Sequence, residues 1–284
     1  FEALLVNKTL ISIDVSGSKI DCEVIEVVAA VLRVNRSINF INLMGNRLGD
    51  NGAMLLAEAL LVNKSITSIN LTANQINDKG IKAISYALCT NNCLTSINLG
   101  NNRIGEEGAN ALGQVLRTNK SLTSMYLCNN GIDDDDAKVL AAGLCENKTL
   151  NLIDLSANGI GEEGAIALAD MLRINNSLTF IDLNCNRLED KGAETLVQAL
   201  HFNHKILSIE FDYICLSGQH NNIWQETYEL TQRNVFLLWK NQHAVLLDMC
   251  IAMQPFDLLL MSCFGSTINT VPVRRKLINL KRSL

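Results

Sequence analysis

The chain has 284 residues, 48% of them hydrophobic, and a net charge of −5, which gives enough apolar content for a sizeable core and excludes a disordered polar chain. Residues 1–213 carry 25 acids against 17 bases, whereas residues 214–284 carry 4 against 7. The acidic body argues against a nucleic-acid backbone as ligand. The nine cysteines form no C-x-x-C pair, so they read as reduced thiols and not as a disulfide framework.

In chain order, residues 1–8 match the end of a unit that recurs later, with Leu4 aligning with Leu60 and Asn7 with Asn63. The array is therefore expected to begin in mid-repeat. A first, degenerate strand is expected around Leu10, Ile13 and Val15, with Ser18 where later turns carry asparagine. From there asparagine recurs every 28 residues, at Asn46, Asn74, Asn102, Asn130, Asn158 and Asn186, and a fixed period precedes any other reading of a sequence. Ahead of each stands L-x-x-I-x-L-x-x-N, as in Leu94, Ile97, Leu99 and Asn102. The last two apolar residues lie two apart, which places them on one face of a short strand.

After each asparagine come an apolar residue, one or two acids and usually a glycine (Gly52, Gly80, Gly108, Gly164, Gly192), and a helix is expected to follow. Apolar residues such as Ala109, Leu112 and Leu116 keep helical spacing, and acids such as Glu106 and Glu107 suit the helix N-terminus. A second periodic asparagine (Asn63, Asn91, Asn119, Asn147, Asn175, Asn203) ends each helix; it is expected in the left-handed geometry of a helix stop. One turn alone cannot bury its apolar face, so the turns must stack, strand beside strand and helix beside helix. Strands need about 4.8 Å between neighbours and helices about 10 Å, which bends the stack with its strands inside. The first asparagine row is expected to be an internal strut, bonding loop backbone that is otherwise buried unpaired.

The unit resembles the long, 28-residue class of leucine-rich repeat found in ribonuclease inhibitor and in the sensor regions of NOD-like receptors, over about residues 1–213. The resemblance implies an α/β fold: a right-handed solenoid or horseshoe, about eight parallel strands inside and helices outside. Residues 214–284 are expected to form a C-terminal helical extension that caps it. Regular Asn- and Ile-rich repeats with a short helical C-terminal piece also resemble cytosolic leucine-rich repeat effectors of intracellular bacteria, which implies a cytoplasmic location, the host cytosol in that case.

The most deviant turn is the fifth, where Asp133, Asp134, Asp135 and Asp136 run together and the last replaces the usual glycine. They lack calcium-loop spacing and stand where a helix N-terminus favours acids. The eighth strand, with Ile206, Ile209 and Phe211, is followed by no asparagine, and the repetition is expected to stop there. Residues 217–240 read as a helix with Trp224, Tyr228, Val235, Leu238 and Trp239 on one face. Leu246, Met249, Cys250 and Met253 suggest a further helix, and Val273, Leu277, Leu280 and Leu284 stripe a basic last segment. The apolar run at 244–264 contains Asp248, Gln254, Pro255 and Asp257, so it reads as a buried helix pair and not a membrane span.

Signals of catalysis are sparse. His201 and His204 form H-x-x-H without a further ligand at zinc-site spacing, and no phosphate loop, G-x-S-x-G elbow or Cys/His pair stands out. A non-enzyme without cofactor or metal is expected. The strand face remains: by the period-two rule, residues flanking the buried ones point to the concave side. Three rows result, running from Ser12 to Ser208, from Asp14 to Glu210 and from Ser16 to Asp212. Within them Phe40 and Met44 beside Asn42 form one apolar spot, and Tyr126 with Leu152, near Cys128, a second. Phe180 lies among Asp154, Asp182, Asn184, Glu210 and Asp212. Aromatic anchors beside uncancelled acids suit a partner protein with a basic patch; the resemblance to ribonuclease inhibitor implies an enzyme masked in this way, with this chain monomeric by itself. The competing expectation is an adaptor, its repeats selecting a target while residues 217–284 recruit a second protein such as ubiquitination machinery.

Overall fold

The computed structural model describes residues 2–212 and 220–242. After a 3-10 turn at Glu2–Leu5, strands and helices alternate without exception: β1 (Ser12–Asp14), α1 (Cys22–Val34), β2 (Phe40–Asn42), α2 (Gly49–Val62), β3 (Ser68–Asn70), α3 (Asp78–Thr90), β4 (Ser96–Asn98), α4 (Glu106–Thr118), β5 (Ser124–Tyr126), α5 (Asp134–Glu146), β6 (Leu152–Asp154), α6 (Glu162–Ile174), β7 (Phe180–Asp182), α7 (Glu189–Phe202), β8 (Ser208–Glu210) and α8 (His220–Gln242). The strands form one parallel sheet in the order β1 to β8, and each residue pairs with the one 28 positions on, as Ile69 with Ile97. The sheet does not close, and each helix packs on the next. The result is the α/β repeat solenoid expected from the period.

Each strand buries only its middle residue. These residues join the Leu, Ile and Ala stripes of the helices in one continuous core between sheet and helix layer. Asn102 shows the strut at work: its Nδ2 donates to the carbonyls of Leu71 (3.0 Å), Leu99 (2.9 Å) and Gly100 (3.2 Å), and its Oδ1 accepts the N–H groups of Asn74 and Ile76. The residue just before each strut is left-handed, at Gly45, Ala73, Asn101, Asn129, Ala157 and Cys185, as is Gly17 before Ser18, with φ between 51° and 68°.

The second asparagine row departs from expectation. Asn63, Asn91, Asn119 and Asn175 are extended, not left-handed, because each is a second buried strut. The Nδ2 of Asn119 donates to the carbonyls of Leu88 and Asn91, while its Oδ1 accepts from Ser121 and Leu122. An asparagine that must reach back 31 residues and forward three cannot also turn the chain left-handed. The periodic glycines also sit elsewhere than expected: Gly80 and Gly108 lie inside the first turn of their helices. Acids of one turn cap the helix of the next. Asp50 accepts the N–H groups of Asn77 and Gly80, Asp78 those of Gly105 and Gly108, and Asp134 those of Gly161 and Gly164. A Cβ at Gly108 would lie 2.7 Å from the Asp78 carboxylate, so the close approach requires glycine.

The four aspartates follow from the same device. In turn four the capping position holds Glu106, which makes no such bond, so Asp133 caps its own helix through the N–H groups of Asp135 and Asp136. Asp134 caps the next helix, Asp135 pairs with Lys138 at 3.0 Å, and Asp136 fills the vacated glycine position. Burial, and then the nearby Asp133 charge, raise the Asp136 carboxyl to about 6.

Helix α8 continues the scheme one step beyond the point where the sequence repetition ends. The Nδ2 of Asn234 donates to the carbonyls of Asn203 (3.0 Å) and Ile206 (2.8 Å), taking the place of a further strut, while Arg233 donates to the carbonyls of Leu200, His201 and Asn203 at the end of α7. These bonds set the rotation of the helix, so its inward face is Ile223, Thr227, Leu230, Thr231 and Asn234, and Leu238 of the expected apolar face is 43% exposed. Satisfying backbone carbonyls at the array's end outweighs burial of one apolar stripe. The helices expected around Leu246–Met253 and Val273–Leu284, the run at 244–264 and the adaptor reading of the last residues lie outside the described residues. No helix among the described residues is long and apolar enough to cross a membrane.

Candidate functional site

The concave face is built from the two flanking residues of each strand and the residue two beyond. Its middle row, Asp14, Asn42, Asn70, Asn98, Tyr126, Asp154, Asp182 and Glu210, stands in direct cross-strand register. Six of these side chains accept the backbone N–H two residues on, as Asn70 does from Thr72, Asn98 from Gly100, Asp154 from Ser156 and Asp182 from Asn184. This local turn explains why the row is rich in Asn and Asp. It does not explain the charge, since asparagine closes the turn as well at three positions. The carboxylates at Asp154 and Asp182 exceed what the fold needs. Glu210 makes no such turn and instead accepts from the Asn184 amide at 3.3 Å.

Asp154, Asp182 and Glu210 occupy adjacent strands in one line, about 4.8 Å apart from strand to strand. Burial pushes the Asp182 carboxyl up, and the Asp154 and Glu210 charges push it further. None of the eight ion pairs among the described residues reaches this line; they lie elsewhere, mostly between neighbouring helices, as Lys82 with Glu107 and Lys138 with Glu163. At the other end of the row Asp14 is already served. The Ser16 N–H and the Asn42 amide (3.0 Å) hold its carboxyl below the ordinary value.

The apolar residues are arranged differently from the two spots expected. Leu152 and Phe180 are direct cross-strand neighbours, so they form one apolar strip beside the acidic line, with Tyr126 one strand away opposite Asp154. Phe40 is half-buried between Ser12 and Ser68, and only Met44, 45% exposed, stands well clear. Cys128 lies over Gly100, where a Cβ would meet its Sγ at 2.6 Å. Burial and then Asp154 raise its thiol, which keeps it protonated and a poor nucleophile. Asp212 accepts the N–H of left-handed Cys185 at 2.6 Å. His201, on the surface, pairs with Glu226, and His204 is exposed.

Past Glu210 the face opens into a cavity of about 520 Å³ between β8 and α8. Of the expected site residues only Asn184, Glu210 and Asp212 reach it; its other wall includes Thr227, Tyr228, Thr231 and Gln232. Sequence reasoning missed that wall. Its one signal was Asn234, standing 31 residues after Asn203 as each strut stands 31 after the first carbonyl it serves.

A family model described as Leucine Rich repeat matches residues 34–57, 62–85, 90–113, 146–169 and 175–197. The chain carries leucine-rich repeats. Solved structures to which the chain is similar include leiomodin-1 actin-binding site 2, 17% identical, covering 72% of this chain and 97% of that one with a TM-score of 0.46. Another is the tropomodulin C-terminal domain from Caenorhabditis elegans, 12% identical, covering 66% and 98% with a TM-score of 0.44. The search of curated proteins found no match. Leucine-rich repeats of this kind are generally protein-interaction modules, and the open, shallow strand face here fits that role better than a small-molecule site.

Proposed function

We propose that the chain is a non-catalytic interaction module that grips a partner protein through the acidic C-terminal half of its concave face. The partner presents lysine or arginine next to an apolar group. The observation that carries this reading is the line Asp154, Asp182 and Glu210, unpaired with any cation among the described residues, at positions where the fold is equally served by neutral side chains. The Leu152–Phe180 strip supplies the apolar anchor beside it. Eight strands at about 4.8 Å by five residues at about 3.3 Å give roughly 600 Å², near the roughly 800 Å² per side of a standard interface, so the trough can hold a folded protein. Masking an enzyme, in a cytoplasmic setting, is the specific form of this reading. The division into an array over 1–213 and a helical cap over 214–284 belongs to it, with Asn234 and Arg233 supporting the cap role of α8.

The test is affinity purification with quantitative mass spectrometry, wild type against Asp154→Asn, Asp182→Asn and Glu210→Gln combined. These substitutions keep the turn bonds and remove only charge. The bound partner is expected to drop at least about tenfold, with a smaller difference at high salt. Equal capture by both proteins, with both folded, overturns the assignment.

A further inference from the structure

Among the described residues the array ends on β8, whose outer edge pairs with no further strand. Ser208 donates to the Thr179 carbonyl, and the Glu210 carbonyl accepts from Leu183. Parallel ladders alternate direction, so the N–H and C=O of Ile209 turn to the opposite side. In every earlier turn the equivalent residue, from Ile13 to Ile181, faces a following strand. Beyond β8 no strand pairs among the described residues.

What lies there is the cavity of about 520 Å³, and residues 207–212 all line it. The reason is visible in α8. Asn234 and Arg233 pin this helix to the last carbonyls of turn seven, where an eighth helix would stand, yet among the described residues no ninth strand follows it. Thr227 and Thr231 on the facing wall bond back to their own helix, to the carbonyls of Ile223 and Thr227, so they make no demand on an occupant. The volume falls within the roughly 300–1,000 Å³ of ordinary ligand pockets, and its long side is a row of backbone groups that recognises extended chain.

We propose that this edge docks an extended segment of a partner protein as a ninth parallel strand, with a lysine or arginine in register with Glu210. Strand addition supplies main-chain hydrogen bonds through Ile209, and the alternating side chains supply selectivity. In that register the residue opposite Ile209 points inward and is apolar, while the next points to the concave side, one strand spacing from Glu210 and near Asp212. Neither carboxylate has a cation among the described residues. An acidic residue at that place would add to the line of like charges, and a lysine or arginine would end it. This inference goes beyond the concave-face reading and shares with it only the end of that face, Glu210 and Asp212.

The test uses the full chain and the blocked pentapeptide acetyl-Ser-Ile-Lys-Leu-Thr-amide, followed by NMR titration and amide hydrogen exchange. Saturable binding is expected, with exchange at the Ile209 amide slowed about tenfold or more at saturation, and with the Lys-to-Glu peptide binding at least about tenfold more weakly. Gln232→Trp, which fills the cavity, is expected to abolish binding with an unchanged melting curve. Asp154→Asn with Asp182→Asn is expected to leave it intact, which separates this site from the concave face. Binding without slowed exchange at Ile209, or binding lost in the double aspartate variant and kept in Gln232→Trp, overturns the proposal. So does an Ile209 amide already protected in the protein alone, because the chain itself then covers the edge.

Discussion

Replacing Asn102 by leucine tests how much of the array's stability rests on its struts. Leucine has the same branched shape and takes none of the bonds, so the Leu71 carbonyl and the N–H groups of Asn74 and Ile76 lose their partner, while the carbonyls of Leu99 and Gly100 keep the Asn130 amide and the Ala73 N–H. At about 1 kcal/mol for each buried group stranded, the expected cost is roughly 3 kcal/mol, a large part of the 5–15 kcal/mol typical of a folded protein. Asn74 is an internal control. Its Nδ2 donates to Leu43 and Thr72, but its Oδ1 is buried with no partner. The cause lies in turn two, where left-handed Gly49 donates its N–H to the Asn74 backbone carbonyl instead. Asn74→Leu therefore strands no group, because the Leu43 carbonyl keeps the Asn46 amide and the Thr72 carbonyl keeps the Gly45 N–H, and it is expected to cost less than about 1 kcal/mol. Urea unfolding followed by circular dichroism gives both values, and a fall in the slope of the transition reports an array that no longer melts as one unit. Equal costs for the two substitutions, or a cost below about 1 kcal/mol for Asn102→Leu, refute the strut argument.

Two further predictions concern local chemistry. Because the folded Asp136 carboxyl is raised to about 6 from an ordinary 3.8, the folded state binds more protons than the unfolded one between those values, and stability falls as pH rises through that window. The full difference corresponds to at most about 3 kcal/mol; solvent at the helix end reduces this, so Asp136→Asn is expected to be about 1–2 kcal/mol more stable than wild type at pH 7.5 and equal to it at pH 4. Denaturant midpoints at the two pH values measure this, and a pH-independent difference counts against it. Ala157, left-handed at φ 53°, is expected to accept glycine with a gain of up to about 1 kcal/mol, whereas Ala165→Gly inside α6 is expected to lose about 1 kcal/mol or more. Melting temperatures moving in the same direction for both would contradict the assignment of strain to that loop.

The 28-residue period made the solenoid legible because core positions recur with almost no variation: Ile69, Ile97, Ile153 and Ile181 fill the same slot. What the period hid is bonding between turns. Nothing local distinguishes Asn119 as a strut from an ordinary helix stop, since its partners Leu88 and Asn91 lie 31 and 28 residues back. Likewise the glycine at 108 reads as a helix breaker until the Asp78 carboxylate is seen against it. On the concave face the rows were legible from alternation, and Asp154, Asp182 and Glu210 do line up. The structural share of that row, the turn bonds of its Asn and Asp side chains, was not anticipated, and neither was the joining of Leu152 with Phe180. The buried face of α8 was illegible because carbonyls left over by turn seven, not apolar residues, decide how the helix is turned.

The reach of the struts has a bearing on how such a chain can change length. Each asparagine serves backbone belonging to the turn before it, so losing a stretch of 28 residues between matching points still delivers every amide to carbonyls of the same kind. Removing 27 or 29 would misdirect both rows at once. Genes of this sort can therefore grow or shrink by whole turns at little risk to folding, and single-residue insertions should be tolerated only on the outer loops.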